Sequence, residues 1–265
     1  MTTHDKQAAA PAIGEAAGSP AEIQQEVQAH RQGLWRGYSL LALSLGAFLL
    51  FGLMAFLVRG LAPLSVDVSI TQAVQNATLS PSATGHTIPV YDELMEIISL
   101  PGFWPYNLIL PALIVGALLL LRRWAEAALA TVALAGGQLF TETIKAVLAR
   151  PRPTVDLVRI EQLVGGYSFP SGHVVGYVCI YGCLFYLAWS LMKRSWQRTA
   201  ILIVTGGLVA LVGLSRIYEG HHWASDVLGG YGLGFGWLGL CLWAYRRWEA
   251  WHLARLQQAA AASTA

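Results

Sequence analysis

Lys145 and Arg152 stand seven residues apart, and Pro151 and Pro153 bracket the second of them. Neither proline can continue a helix, so the chain leaves any helix near Ala149. Lys145 then falls on a last helical turn with Arg152 just past it, able to fold back; two cations at one point make an anion site. Phe169-Pro170-Ser171-Gly172-His173 opens a long apolar run. Ser171 suits an N-cap and Gly172 lets a ligand approach the backbone. Free amides at such a helix start favour phosphate, and His173 adds a group that moves protons near neutral pH. The third stretch is Ser215-Arg216, followed by His221, His222 and Asp226. His222 and Asp226 are four apart and share a helix face. A carboxylate on one imidazole nitrogen raises the basicity of the other, the arrangement of an activated nucleophile. His221 competes for that role, but a spacing of five turns it away from Asp226.

Each stretch also has a plainer reading taken alone. Lysine and arginine snorkel to a membrane interface, Ser-Gly often just starts a helix, and an aspartate can simply cap. Together, three cations, two histidines and a carboxylate beside a helix N-terminus suit a phosphoryl group, whose oxygens Lys145, Arg152, Arg216 and backbone amides would neutralise. No carboxylate cluster has the pattern of a magnesium or calcium site, and the Cys and His spacing fits no zinc site. No metal and no cofactor is expected.

The elements that hold these residues follow from composition. Of 265 residues, 55% are hydrophobic and 12% charged, with ten Trp and ten Tyr, and the mean hydropathy is +0.50. A soluble domain of this size could not bury so much apolar surface. Cys179, Cys183 and Cys241 all lie in apolar runs and form no disulfide framework. A net charge of +2 gives no reason to expect nucleic acid. The fold class is therefore an all-α, polytopic membrane bundle with six transmembrane helices. The spans are residues 37–58, 97–121 (helical from about Pro105), 124–148, 174–192, 199–215 and 227–245. The third carries Glu126, Glu142 and Lys145, and charges inside a span face a polar interior.

Six spans put both termini on one side, which holds Arg31, Arg36, Arg122, Arg123, Lys193, Arg194, Arg198, Arg246, Arg247 and Arg255. Six Lys or Arg remain opposite, so the termini are expected in the cytoplasm and all three polar stretches on the exterior or periplasmic face. Residues 1–33 read as a disordered tail with some helical tendency near Glu22, 34–250 as the membrane domain and 251–265 as a second tail. Nothing in residues 1–33 reads as a signal peptide. In the external loop, Val66, Ile70 and Val74 predict a short interfacial helix, and Ser80–Gly85 reads as a turn. The glycines crowding residues 229–239 let the last helix approach its neighbours closely. Oligomeric state is not legible.

The three stretches together resemble the type 2 phosphatidic acid phosphatase superfamily, in its integral-membrane lipid phosphatase branch. That superfamily also includes vanadium haloperoxidases and bacterial acid phosphatases. Its motifs K-x6-R-P, P-S-G-H and S-R-x5-H-x3-D are all complete, at Lys145 to Pro153, Pro170 to His173 and Ser215 to Asp226. The resemblance spans residues 37–247 and implies a metal-independent reaction. In it, His222 attacks phosphorus to give a phosphohistidine, Asp226 orients its ring, and His173 protonates the leaving oxygen and then activates water. Lys145, Arg152, Ser171, the Gly172 amide and Arg216 bind the phosphoryl oxygens. The implied partner is a membrane lipid: phosphatidic acid, phosphatidylglycerol phosphate or an isoprenyl diphosphate such as undecaprenyl diphosphate. A phosphotransferase passing the group to a lipid or sugar hydroxyl, and a non-enzymatic scaffold, are the rival readings.

Overall fold

The computed structural model describes residues 20–60, 62–77 and 89–264, so the expected turn at 80–85 and residues 1–19 lie outside the described residues. Every regular element among them is helical. In order these are α1 (Pro20–Leu57), α2 (Ser65–Asn76), α3 (Pro89–Ser99) closed by a 3-10 turn (Leu100–Gly102), α4 (Tyr106–Leu120) and α5 (Trp124–Leu148). Then come α6 (Gly172–Tyr177), a π turn (Val178–Gly182), α7 (Cys183–Leu191), α8 (Trp196–Tyr218) and α9 (Ala224–Thr264). The chain divides into Met1–Ser39, whose described part is the opening of α1, and Leu40–Ala265, which holds everything below.

Among the described residues, five stretches are long and apolar enough to cross a bilayer: Tyr38–Leu57, Trp124–Leu148, Gly172–Leu191, Trp196–Tyr218 and Ala224–His252. A sixth crossing is reached by counting Val90–Gly102 and Tyr106–Leu120, which meet at a bend of 60°, as one span; α4 alone, at 1.5 Å per residue, covers only about 22 Å of a ~30 Å hydrocarbon core. The fourth span is a helix interrupted by a π turn rather than a uniform one; its residues Val178, Cys179, Ile180 and Tyr181 are buried, so the widened turn packs wholly inside the bundle.

The core centres on α6, the π turn and α7, packed against α5, α8 and α9. Alanines at 127, 130 and 133 bring α5 in close, and Cys179 and Cys183 fill the same core. The glycines of α9 serve two faces. A Cβ at Gly230 or Gly234 would run into Val174 or Val178, while one at Gly232 would meet the α1 backbone at Phe51 N (2.8 Å) and Ala47 O (2.9 Å). Close approach, as expected, is the use of this stripe.

The helical tendency near Glu22 agrees with α1, which is helical over residues 20–33. The stretch expected as a loose C-terminal tail is instead helical, since α9 continues through 251–264; Ala, Gln, Leu and Arg there are good helix formers and no proline intervenes. The short helix expected around Val66, Ile70 and Val74 forms as α2, yet it packs the opposite way from an ordinary amphipathic helix. Its buried face is Asp67, Thr71 and Gln75, whereas Val66 and Ile70 are exposed. Buried polar groups demand partners, and α2 finds them: Gln75 Nε2 donates to Arg159 O (2.8 Å) and Tyr218 O (2.9 Å), and Gln72 Nε2 to Leu157 O (2.9 Å).

Candidate active site

The C-terminus of α5, the N-termini of α4 and α6, and the turn from α8 into α9 meet at one end of the bundle. The α5 helix stops at Ala149, which takes the left-handed conformation (φ 47°) and donates its N–H to Lys145 O. Pro151 blocks resumption, and the chain turns back so that Arg152 faces the bundle. Arg152 Nε donates to Gly165 O (3.1 Å) and Gly166 O (3.2 Å); Nη1 donates to His221 O (2.8 Å) and lies 3.3 Å from His222 Nε2. Lys145 Nζ pairs with Glu142 Oε1 at 2.9 Å. It also flanks the α6 N-terminus, since a Cβ added to Gly172 would sit 3.4 Å from Nζ. The cation and the helix amides thus face the same point.

Ser171 occupies the N-cap position of α6, but its hydroxyl makes no capping bond. Oγ is buried without a partner, while the backbone N–H donates to Asp226 O (3.1 Å). His173, on the first turn, packs edge-on against Phe103 (centroids 4.7 Å apart) and directly beside Gly102; its Nε2 has no protein partner.

After α8, Gly220 reverses the chain at φ 71°, in contact with Arg159 O, where any Cβ would collide (2.1 Å). The N–H groups of His221 and His222 then both donate to Arg216 O. His222 and Asp226 were expected to face each other along a helix; instead His222 precedes α9. Asp226, in its first turn, reaches back to accept from Trp223 N (2.8 Å), as the third residue of a capping box does. This geometry still sets Asp226 Oδ2 3.7 Å from His222 Nδ1. Ser168 Oγ stands beside both, hydrogen-bonded to Asp226 Oδ2 and 3.5 Å from Nδ1. Burial pushes His222 down to about 4, helped by the cations Arg152 and Arg216 and opposed by Asp226. Its imidazole is neutral at physiological pH, as a nucleophile must be.

His221 is turned elsewhere: its Nδ1 is 3.1 Å from both Glu219 Oε2 and Arg216 Nη1. Arg216 is engaged on one side of its guanidinium. Its Nη2 is hydrogen-bonded to Glu219 and to Ser99, and its guanidinium stacks over Phe103 at 5.0 Å. Burial opposes ionisation of Glu219, but the hydrogen bond from His221 and the Arg216 charge outweigh it and hold the carboxyl below its ordinary range. Arg216 Nη2 is thus committed to Glu219 and Ser99, whereas its Nε is buried without a partner.

A cavity of about 680 Å³ brings the remaining groups together. Lys145, Arg152, Gly172, His173 and His222 line one end. From there the cavity follows α5 past Gln138 to Leu134 and Thr131, between the apolar α4 residues Leu108 and Val115 and the inner part of the fourth span at Ile180. Fourteen residues of α5 separate Lys145 from Thr131, about 21 Å at helical rise. The space has a cationic mouth and a long, mostly apolar throat.

The structure adds four polar residues that the sequence reading missed. Arg150, Asp67, Ser168 and Ser225 are all buried around Asp226. Arg150 is the other arginine of the Arg-Pro-Arg-Pro run, and that adjacency was the one signal available.

A profile of the PAP2 superfamily matches residues 126–250. Phosphatidylglycerophosphatase B of Bacillus subtilis (strain 168) aligns at 30% identity over 167 residues, covering 62% of this chain and 81% of that protein. Among solved structures, the transmembrane PAP2 type phosphatidylglycerolphosphate phosphatase from Bacillus subtilis superposes with a TM-score of 0.62 at 26% identity, over 75% of this chain and 94% of that one. Aquifex aeolicus LpxE shares the fold, with a TM-score of 0.50 at 20% identity over 67% and 96% of the two chains.

Proposed function

Because the chain belongs to the PAP2 superfamily, we propose that it hydrolyses a lipid phosphate, with phosphatidylglycerol phosphate as the first substrate to test. The shape of the cavity carries this reading: Lys145, Arg152, His173 and His222 crowd one end, and an apolar channel leads into the bundle from there. A phosphate esterified to a lipid fits both halves; a small soluble phosphate leaves the channel unused. The similarity to phosphatidylglycerophosphatase B favours the glycerolipid over phosphatidic acid or an isoprenyl diphosphate.

In the proposed reaction His222 Nε2 forms a bond to phosphorus as the bond to the lipid oxygen breaks. Nδ1, on the Asp226 side, keeps its proton, and Asp226 supports the positive charge that develops on the ring. Arg152, 3.3 Å from Nε2, and Lys145, beside the Gly172 amide, neutralise the phosphoryl oxygens, with Ser171 Oγ close behind as a spare donor. His173 gives its proton to the departing lipid oxygen, leaving phosphohistidine and a lipid alcohol. It then takes a proton from water as that water attacks phosphorus, releasing inorganic phosphate and restoring His222. Arg216 contributes through its field and by holding the His221–His222 turn. The Lys and Arg asymmetry of the sequence supports an orientation with this end of the bundle outside the cytoplasm and the termini within.

Purified protein in detergent micelles should release phosphate from phosphatidylglycerol phosphate faster than from phosphatidic acid or undecaprenyl diphosphate. His222→Ala should abolish release while the protein still inserts and purifies as the parent does. Appreciable turnover by His222→Ala removes His222 as nucleophile, and equal inactivity of the parent on all three lipids ends the reading.

A further inference from the structure

Asp226 is not held by the histidine turn alone. Arg150 Nη1 is hydrogen-bonded to Asp226 Oδ1 and donates to Ser225 Oγ (2.7 Å), while its Nη2 pairs with Asp67 Oδ2 at 2.8 Å. Asp67 in turn accepts from Ser225 N (2.9 Å) and Ser225 Oγ (2.7 Å). Ser168 closes the ring, bonding Asp226 Oδ2 through its hydroxyl and Arg150 O through its N–H (2.8 Å). Asp67, Arg150, Ser168 and Asp226 are each at most 1% exposed. Asp67 comes from an external helix that the reading of the motifs gives no part in the chemistry.

The charge count gives this arrangement a purpose. Arg150 fixes Asp226 by bonding Oδ1, which leaves Oδ2 directed at His222. A lone arginine in a dry site, however, would also cancel the negative charge that Asp226 must offer to an imidazole turning positive during attack. A second carboxylate on the other side of the guanidinium restores it: two negative charges and one positive leave a net −1 beside the nucleophile. Buried ion pairs bring little net stability against apolar replacements, so stability alone is a poor reason for three charges here. We infer that Asp67 is a positioning residue of the proposed reaction, acting through Arg150 to keep Asp226 both oriented and effectively anionic for His222. The inference rests on the assignment of His222 as nucleophile.

Asp67→Asn keeps the shape and removes the charge. It should lower kcat by about 10- to 100-fold with KM within about twofold, less than the ~10⁴-fold seen when the carboxylate directly on a catalytic histidine is neutralised. Vanadate mimics five-coordinate phosphorus bonded to the nucleophile, and its inhibition constant should rise by a factor similar to the loss in kcat. Inorganic phosphate, which needs only the cations, should inhibit as before. Asp67→Glu should recover part of the rate. Inhibition constants do not depend on how much of the sample is folded. A fall in rate with both constants unchanged therefore means lost folded protein and overturns the inference, as does a kcat equal to the parent's. If instead His222→Ala remains active, the nucleophile assignment has failed before Asp67 is tested.

Discussion

Gly102 touches no phosphate in the proposed reaction, yet replacing it with alanine should cripple the site. The 3-10 turn at Leu100–Gly102 presses its last residue against the ring of His173. A Cβ there would lie 2.1 Å from His173 Cδ2, 2.7 Å from Nε2 and 2.8 Å from Cγ. The Gly102 backbone has no positive φ, so alanine is acceptable to the chain itself and the whole conflict falls on the imidazole. To reach an ordinary contact of 3.4 Å the ring must retreat by about 1.3 Å, and Phe103 already packs against it at 4.7 Å. Misplacing a reacting group by about 1 Å costs on the order of 10²-fold in rate, or about 2.7 kcal/mol of barrier. The assay compares phosphatidylglycerol phosphate with p-nitrophenyl phosphate. The lipid alkoxide needs a proton from His173 to leave, whereas nitrophenolate does not. Followed in a single turnover as release of the lipid alcohol or of nitrophenolate, the first step in Gly102→Ala should slow by about 10²-fold on the lipid and much less on the aryl ester; the second step, in which His173 activates water, is common to both. A parental first step on the lipid refutes the packing argument, and equal losses in that step on both esters refute the role of His173 as acid.

Two further outcomes follow from the same coordinates. The His222 ring, pushed down to about 4 by burial, binds fewer protons folded than unfolded between pH 4 and its ordinary pKa of about 6.5. Its contribution to stability is therefore complete above about pH 6.5 and is lost as the pH falls toward 4. Acid unfolding in detergent should show this loss in the parent and show less of it in His222→Ala; identical pH dependence would mean the histidine is not depressed. Gly232→Ala places a methyl against backbone atoms of α1 that cannot rotate away. It should cost about 1–3 kcal/mol of stability, read as a lower thermal midpoint, and an unchanged midpoint would mean that the glycines serve flexibility rather than contact.

The parts of this site that are legible in the sequence are those with a local signature. Prolines at 151 and 153 end α5 wherever the fold places it, and the His222–Asp226 spacing survives even though the pair meets at a helix start rather than along one face. Composition likewise forces a membrane bundle, because no alternative buries so many apolar groups. What stays hidden depends on partners distant along the chain. Spacing gives no sign of the Glu219 and Ser99 contacts that orient the Arg216 guanidinium. Asp67 reads as the wet side of an interfacial helix, since the valines and isoleucine of α2 follow a regular stripe; only the buried arginine 83 residues later turns that helix over. The bend before α4 is signalled by Pro101, Gly102 and Pro105, but its angle of 60° is not.

The inverted packing of α2 also bears on how the chain is made. Arg150 reaches its final neighbour, Asp226, only after another 76 residues have been synthesised. A guanidinium waiting in or beside lipid through that interval would be costly. Asp67 is already present when Arg150 emerges, so the nascent chain can neutralise the arginine as soon as α5 is inserted. The helix that completes the surroundings of Asp226 in the finished protein can thus shield Arg150 during translation.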